Sequence, residues 1–139
     1  MKIECFLDTN VLLYAASTRI DDPRKFEIAQ KLLASTYFGL SGQVLGEFIA
    51  NLKKRISVPP TLKEIVSWLD LLANYPTVPV DEKLVRAGVA VSERYQVSYW
   101  DGAIIAAADR LGAPTLFTED LNHGQSYGSV KVINPFKVN

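Results

Sequence analysis

One cysteine, one histidine and no net charge in a chain of 139 residues rule out several chemistries at the start. Cys5 alone cannot form a disulfide within the chain, and zinc-ribbon spacings are absent. Cys5 sits in an apolar run and reads as a buried, reduced thiol, because free cysteine packs like a small hydrophobe. No cysteine or histidine pair is present for nucleophilic catalysis. Fifteen basic residues balance fifteen acidic ones. A protein that coats nucleic acid through backbone electrostatics is usually basic, so any such contact here has to come from local patches or from a bound cation. Long apolar runs are missing as well. Glu4 and Asp8 interrupt the early one, which excludes a signal peptide, and Ala103–Ala108 is far too short to span a bilayer. The expectation is a cytoplasmic protein with no membrane contact. There is no internal repeat and no Gly/Ser-rich or Pro-rich linker, so residues 1–139 read as a single domain.

What is present alternates between strand and helix signals. Ile3–Leu7 reads as a buried strand, followed by Asp8-Thr9-Asn10 and a short helix over Val11–Ala16. Asp21-Asp22-Pro23 starts a second helix with Pro at an early position, whose Phe26, Ala29, Leu32 and Leu33 share a face. A strand follows at Phe38–Leu40. Leu45, Phe48, Ile49 and Leu52 set the apolar stripe of a helix over Gln43–Lys54, with Glu47 on its flank beside Val44 and Asn51. Thr61 and Glu64 make a capping box ahead of the stripe Ile65, Trp68, Leu69 and Leu72. Thr77–Val80 is a candidate strand, and Asp81 caps a helix running to Tyr95. Tyr99-Trp100-Asp101 opens a small-residue helix that stops near Leu111, with Gly112 and Pro114 beyond it. Strands at Thr115–Thr118 and Val130–Ile133 close the chain. This order implies an α/β fold with a largely parallel sheet flanked by helices.

In such sheets ligands bind beyond the carboxyl ends of the strands. Asp8 ends the first strand and Asp120 follows the Thr-Leu-Phe-Thr strand. Glu47 lies near the start of a helix after a strand, and Asp101 is in the first turn of another helix whose direction periodicity leaves open. Taken singly, each acid has a commoner role. Asp8 reads as a helix cap, Glu47 as a solvated helix residue, Asp101 as dipole compensation and Asp120 as a turn former. His123 reads as a solvated loop residue. Lys53, Lys54 and Arg55 suit a helix C-terminus and also suit RNA phosphates, as do Arg19, Arg24 and Lys25.

Four stretches in order resemble the PIN-domain ribonucleases of the VapC toxin type. They are F-L-D-T-N (Phe6–Asn10), V-L-G-E-F (Val44–Phe48), Y-W-D-G-A-I-I-A-A-A (Tyr99–Ala108) and L-F-T-E-D-L (Leu116–Leu121), with N-P-F (Asn134–Phe136) beyond them. The resemblance implies a three-layer fold and an endoribonuclease in which Asp8, Glu47, Asp101 and Asp120 hold Mg²⁺ or Mn²⁺. It gives Thr118 the orienting of a ligand or water, and Asn10 the bracing of Asp8. Glu119 stays outside, because neighbours at a strand end point apart. A cognate VapB-like antitoxin and a homodimer are implied in the same way. The chemistry accords with this reading. Hard divalent cations prefer carboxylate oxygens, and two carboxylates about 4 Å apart repel by roughly 4 kcal/mol at an effective dielectric near 20. The implied reaction is water attack on a phosphodiester, leaving a 5′-phosphate and a 3′-hydroxyl.

Two other functions compete. A dehalogenase-type phosphatase wants a second Asp two residues after the first, where this chain has Asn10. A receiver domain wants a lysine after a late strand, where this chain has Thr118-Glu119-Asp120. A non-enzymatic module on the same fold usually loses some of the acids, and all four are present here.

Overall fold

The computed structural model describes residues 2–17, 21–55 and 58–138. Short apolar runs make the strands β1 (Cys5–Leu7), β2 (Phe38–Ser41), β3 (Thr77–Val78), β4 (Thr115–Phe117), β5 (Ser126–Tyr127) and β6 (Val130–Ile133). Largely buried apolar or small-residue segments make α1 (Thr9–Ala16) and α6 (Tyr99–Arg110), and amphipathic segments make α2 (Pro23–Ser35), α3 (Gly42–Arg55), α4 (Leu62–Leu72) and α5 (Glu82–Tyr95). The strands form one sheet in the order β3-β2-β1-β4-β6-β5. All pairings are parallel except β5 with β6. Helices flank the sheet: α1 packs on α2 and α3, and α5 packs on α6, which also touches β2, β4 and β6. Among the described residues no helix is long and apolar enough to cross a membrane.

The expected elements form, with differences that have local causes. The third strand stops at Val78 rather than Val80, because Pro79 has no N–H to donate to the ladder. The strand β5 was not expected, although Gly128-Ser129 between Tyr127 and Val130 is a two-residue hairpin signal. Gly128 there has φ +63°, and Tyr127 pairs with Val130. Gly112 ends α6 as expected, with φ +72°. The capping box of Thr61 and Glu64 forms. Leu69 departs from its expected stripe: it is 37 % exposed, because α4 packs through the narrower face of Ile65, half-buried Trp68 and Leu72. Cys5 is buried and unpaired.

The contact between α5 and α6 is close because glycine sits in it. A Cβ on Gly102 would stand 2.5 Å from the Gly88 carbonyl oxygen and 2.9 Å from the Ser92 nitrogen. Both are backbone atoms, so the helices themselves would have to move. Gly46, on α3, has open space where a Cβ would go. Gly102→Ala should therefore lower unfolding free energy by about 1–3 kcal/mol through overpacking. Gly46→Ala should raise it by about 0.5–1 kcal/mol through helix propensity. Urea unfolding of the two variants beside wild type checks both signs.

Candidate active site

The chain builds β1, β2 and β3 outward, then returns to lay β4 on the other side of β1. The strand order reverses between β1 and β4, and crevices of parallel sheets form at such a point. The register pairs Leu7 with Phe117, so the next residues, Asp8 and Thr118, emerge side by side. The Asp8 N–H donates to the Phe117 carbonyl at 3.1 Å and the Thr118 N–H to the Ile133 carbonyl at 3.1 Å.

Asp8 is the N-cap of α1 and only 5 % exposed. Its Oδ1 accepts from the Thr9 N–H at 2.7 Å and its Oδ2 from the Thr118 hydroxyl at 2.7 Å. That hydroxyl in turn accepts from the Asp120 N–H at 3.1 Å and from Asn10 Nδ2 at 3.2 Å. Its one proton is thus committed to Asp8. Asn10 Nδ2 also donates to Asp120 Oδ2 at 3.1 Å, which orients the amide, since a carboxylate only accepts. Asn10 was expected to brace Asp8. Its bonds go to Thr118 and Asp120, and it reaches Asp8 through the threonine. Asn10 Oδ1 is buried and finds no donor among the described residues.

Glu47, on α3, is half-buried. Its Oε1 accepts from the Thr9 hydroxyl at 3.1 Å and from Gln43 Nε2 at 3.4 Å. Gln43 Nε2 also donates to the Trp100 carbonyl at 3.2 Å, which ties α3 to the start of α6. There Ser98 caps the helix by accepting the Asp101 N–H at 3.1 Å. The α6 N-terminus therefore stands at the carboxyl edge, and the direction left open by periodicity is resolved. Trp100 is 62 % exposed beside Asp101.

The four acids share one electrostatic neighbourhood. Burial pushes the Asp8 carboxyl up to about 6 from an ordinary 3.8, and the charges of Asp120 and Glu47 add to this, against the Thr118 and Thr9 bonds. Burial also raises Asp101, with Asp120 adding and Ser98 opposing. Yet among the described residues no three His, Cys, Asp or Glu side chains converge closely enough to hold a metal ion by themselves. Sequence reasoning missed Ser98, Gln43 and Thr9. The Ser98-x-x-Asp101 spacing is a helix-start signal that could have found the first. His123 braces its loop, its Nδ1 accepting from the Asn134 N–H at 3.0 Å. Of the basic candidates, Arg19 and the Arg55 side chain lie outside the described residues. Lys53 and Lys54 are exposed, Arg24 donates to the Phe136 carbonyl, and Lys25 pairs with Glu119 at 2.9 Å.

A carboxyl raised on folding binds its proton more tightly in the native state than in the unfolded chain. Between pH 4 and 6 the native state then holds more protons, so this contribution to stability falls as pH rises and levels off above about 6. The fall is about 3 kcal/mol for a shift of this size. Urea unfolding in EDTA between pH 4 and 7 should show Asp8→Asn gaining on wild type by that order as pH rises. Parallel curves for the two proteins would contradict the shift.

A family model described as PIN domain matches residues 5–126. No curated protein sequence matches the chain. Among solved structures the chain is similar to a toxin–antitoxin complex from Klebsiella pneumoniae, at 18 % identity and a TM-score of 0.69, over 97 % of this chain and 100 % of that one. It is similar to VapC20 of Mycobacterium tuberculosis, described as a sarcin–ricin loop cleaving toxin, at 21 % identity and a TM-score of 0.66, over 84 % and 92 %. It is also similar to VapBC2 of Rickettsia felis bound to a promoter DNA fragment, at 18 % identity and a TM-score of 0.60, over 94 % and 97 %. At these identities the likeness is one of fold. The family match spans most of the chain and covers both sides of the β1–β4 switch point, and by it this chain belongs to the PIN domain family.

Proposed function

We propose that this chain is a divalent-cation-dependent endoribonuclease, the toxin of a VapBC-type pair, acting in the cytoplasm as a single domain. The observation that carries the reading is Asp8. A carboxylate buried at the switch point, clamped on both oxygens and repelled by two further acids, is a costly arrangement that a cation would relieve. The donor chemistry fits Mg²⁺ or Mn²⁺, since Asp8, Glu47, Asp101 and Asp120 are all hard oxygen donors. Mg²⁺ commonly keeps several waters and takes one or two carboxylates, which accords with acids that, among the described residues, do not close three at a time. The orphaned Asn10 Oδ1 suits a water held beside them.

A bound divalent cation would neutralise charge on the phosphoryl oxygens and acidify a water. The chain's own part is positioning. Thr9 and Thr118 fix the Asp8 oxygens, Asn10 joins Asp120 to Thr118, and Gln43 spans Glu47 and the α6 start. Exposed Trp100 offers a face on which an unpaired base could stack. Water then displaces the 3′-oxygen from phosphorus, leaving a 5′-phosphate and a 3′-hydroxyl. The similar structures include toxin–antitoxin complexes and a toxin that cleaves the sarcin–ricin loop. They support a cognate antitoxin as partner and RNA as substrate, and the VapC resemblance adds a homodimer.

A catalytically silent PIN-fold binding module is the second reading, and the lack of three convergent ligands among the described residues favours it. Mixed tRNA and rRNA, incubated with purified protein in Mn²⁺ or EDTA, separates the two. The nuclease reading expects cleavage only with Mn²⁺, 5′-phosphate products, and a loss of about 100-fold or more in Asp101→Asn, the scale seen when one preorganised charge-stabilising group is removed. A 2′,3′-cyclic phosphate product would exclude the hydrolytic mechanism. Mn²⁺ at about 100 times its dissociation constant should also stabilise wild type by roughly 2.7 kcal/mol, read as a rise of several degrees in Tm. Neither cleavage nor a Tm rise would leave the silent module as the better account.

A further inference from the structure

Three of the four candidate acids stand on or against regular elements. Asp8 caps α1, Glu47 lies within α3 and Asp101 lies in the first turn of α6. Asp120 does not: it is exposed, in an irregular stretch after β4. From the site side it is held by Asn10 and by its own N–H to Thr118. What holds it from the other side is its neighbour Glu119. Glu119 Oε1 accepts from the Tyr14 hydroxyl at 2.7 Å, and Oε2 accepts from Lys25 Nζ at 2.9 Å. Lys25 Nζ also donates to the Tyr14 hydroxyl at 3.1 Å. It lies 4.7 Å from the Tyr14 ring centroid and 5.6 Å from that of Phe136. The Lys25 and Glu119 side chains are only 29 % and 20 % exposed, so the pair is shielded from the screening that weakens surface ion pairs.

This cluster joins α1, α2 and the segment after β4 one residue from Asp120, and the reaction proposed above does not use it. Both Glu119 oxygens are engaged away from the acids. A two-point hold on Glu119 fixes the backbone from which the next side chain departs. We propose that Lys25 and Tyr14, by holding Glu119, form a positioning clamp that sets the Asp120 carboxylate for cation binding. This rests on the metal-site reading of Asp120 given above. Partners that orient a ligand without touching the ion typically govern metal affinity by 10–100-fold, and that is the effect expected here.

The test is Mn²⁺ binding to the metal-free full chain by titration calorimetry, with Tm recorded separately for each variant. Lys25→Met and Glu119→Gln should each weaken Mn²⁺ binding by about 10-fold or more, and Lys25→Arg should restore most of it. The double variant should bind no worse than the weaker single one, because the two groups act as one unit. If Lys25→Met fails to fold, Glu119→Gln, nearly the same in shape, decides. Asp120→Asn sets the reference. Wild type that binds no Mn²⁺, or Asp120→Asn that binds like wild type, overturns the metal-site reading and the clamp with it. Weakened binding in Asp120→Asn, with wild-type affinity in Lys25→Met and Glu119→Gln, overturns the clamp alone.

Discussion

The register between β1 and β4 governs the site, and the apolar residues of those strands do not determine it alone. Cys5, Phe6 and Leu7 are all buried, as is Leu116. A strand covered on both faces carries no inside–outside alternation, so along β1 a slip exchanges one buried apolar side chain for another, and β4 adds only a short alternation, Leu116 buried between half-buried Thr115 and Phe117. The polar ends discriminate. Only the pairing of Leu7 with Phe117 brings the Thr118 hydroxyl to Asp8 at 2.7 Å. A slip would leave a carboxylate buried without its donor, at a cost of about 1–3 kcal/mol or more. The residues that hold the acids thus also help to align the strands.

That arrangement is expensive in charge. The chain as a whole is neutral, yet acids gather at one edge of the sheet, and burial raises both Asp8 and Asp101. The fold offsets part of the cost with neutral donors rather than with cations. Thr9, Thr118, Asn10 and Gln43 all donate hydrogen bonds to the acids or to the groups that hold them. Lys25, which reaches the residue beside Asp120, is spent on Glu119. A cationic side chain placed among the acids would compete with any metal, whereas hydroxyls and amides orient the oxygens and leave their charge available.

Much of this was legible along the chain. Period and caps located the main helices and five of the strands, all but β5. The strand-end acids Asp8 and Asp120 could be placed from the order of elements alone. What escaped was of two kinds. The two-residue strand β5 has too little length, and no apolar run around it, to show a period. Contacts between distant positions have no local signature at all: Lys25 and Glu119 are 94 residues apart and Thr9 and Glu47 are 38 apart. Asn10 illustrates the boundary. Its place in the site could be read from F-L-D-T-N, but its partners depend on where the segment after β4 returns. The exposure of Leu69 depended likewise on how narrow a face α4 buries.

Helix termini supply the remaining compensation. The α1 N-terminus is capped by Asp8 itself, and Asp101 sits in the first turn of α6. Each helix presents partial positive charge at its start, a favourable setting for a carboxylate by about 0.3–1 kcal/mol. In α6 the same logic runs to the other end. Arg110, in the last turn, pairs with Asp81, and Gly102–Ala108 between the two charges is buried throughout. A helix so fully covered can carry charge only at its ends. Its small residues allow α5 to approach closely, and that contact in turn fixes where the end bearing Asp101 stands. The ordinary roles that each acid plays alone, cap and dipole partner, are therefore the means by which a cluster of like charges becomes tolerable.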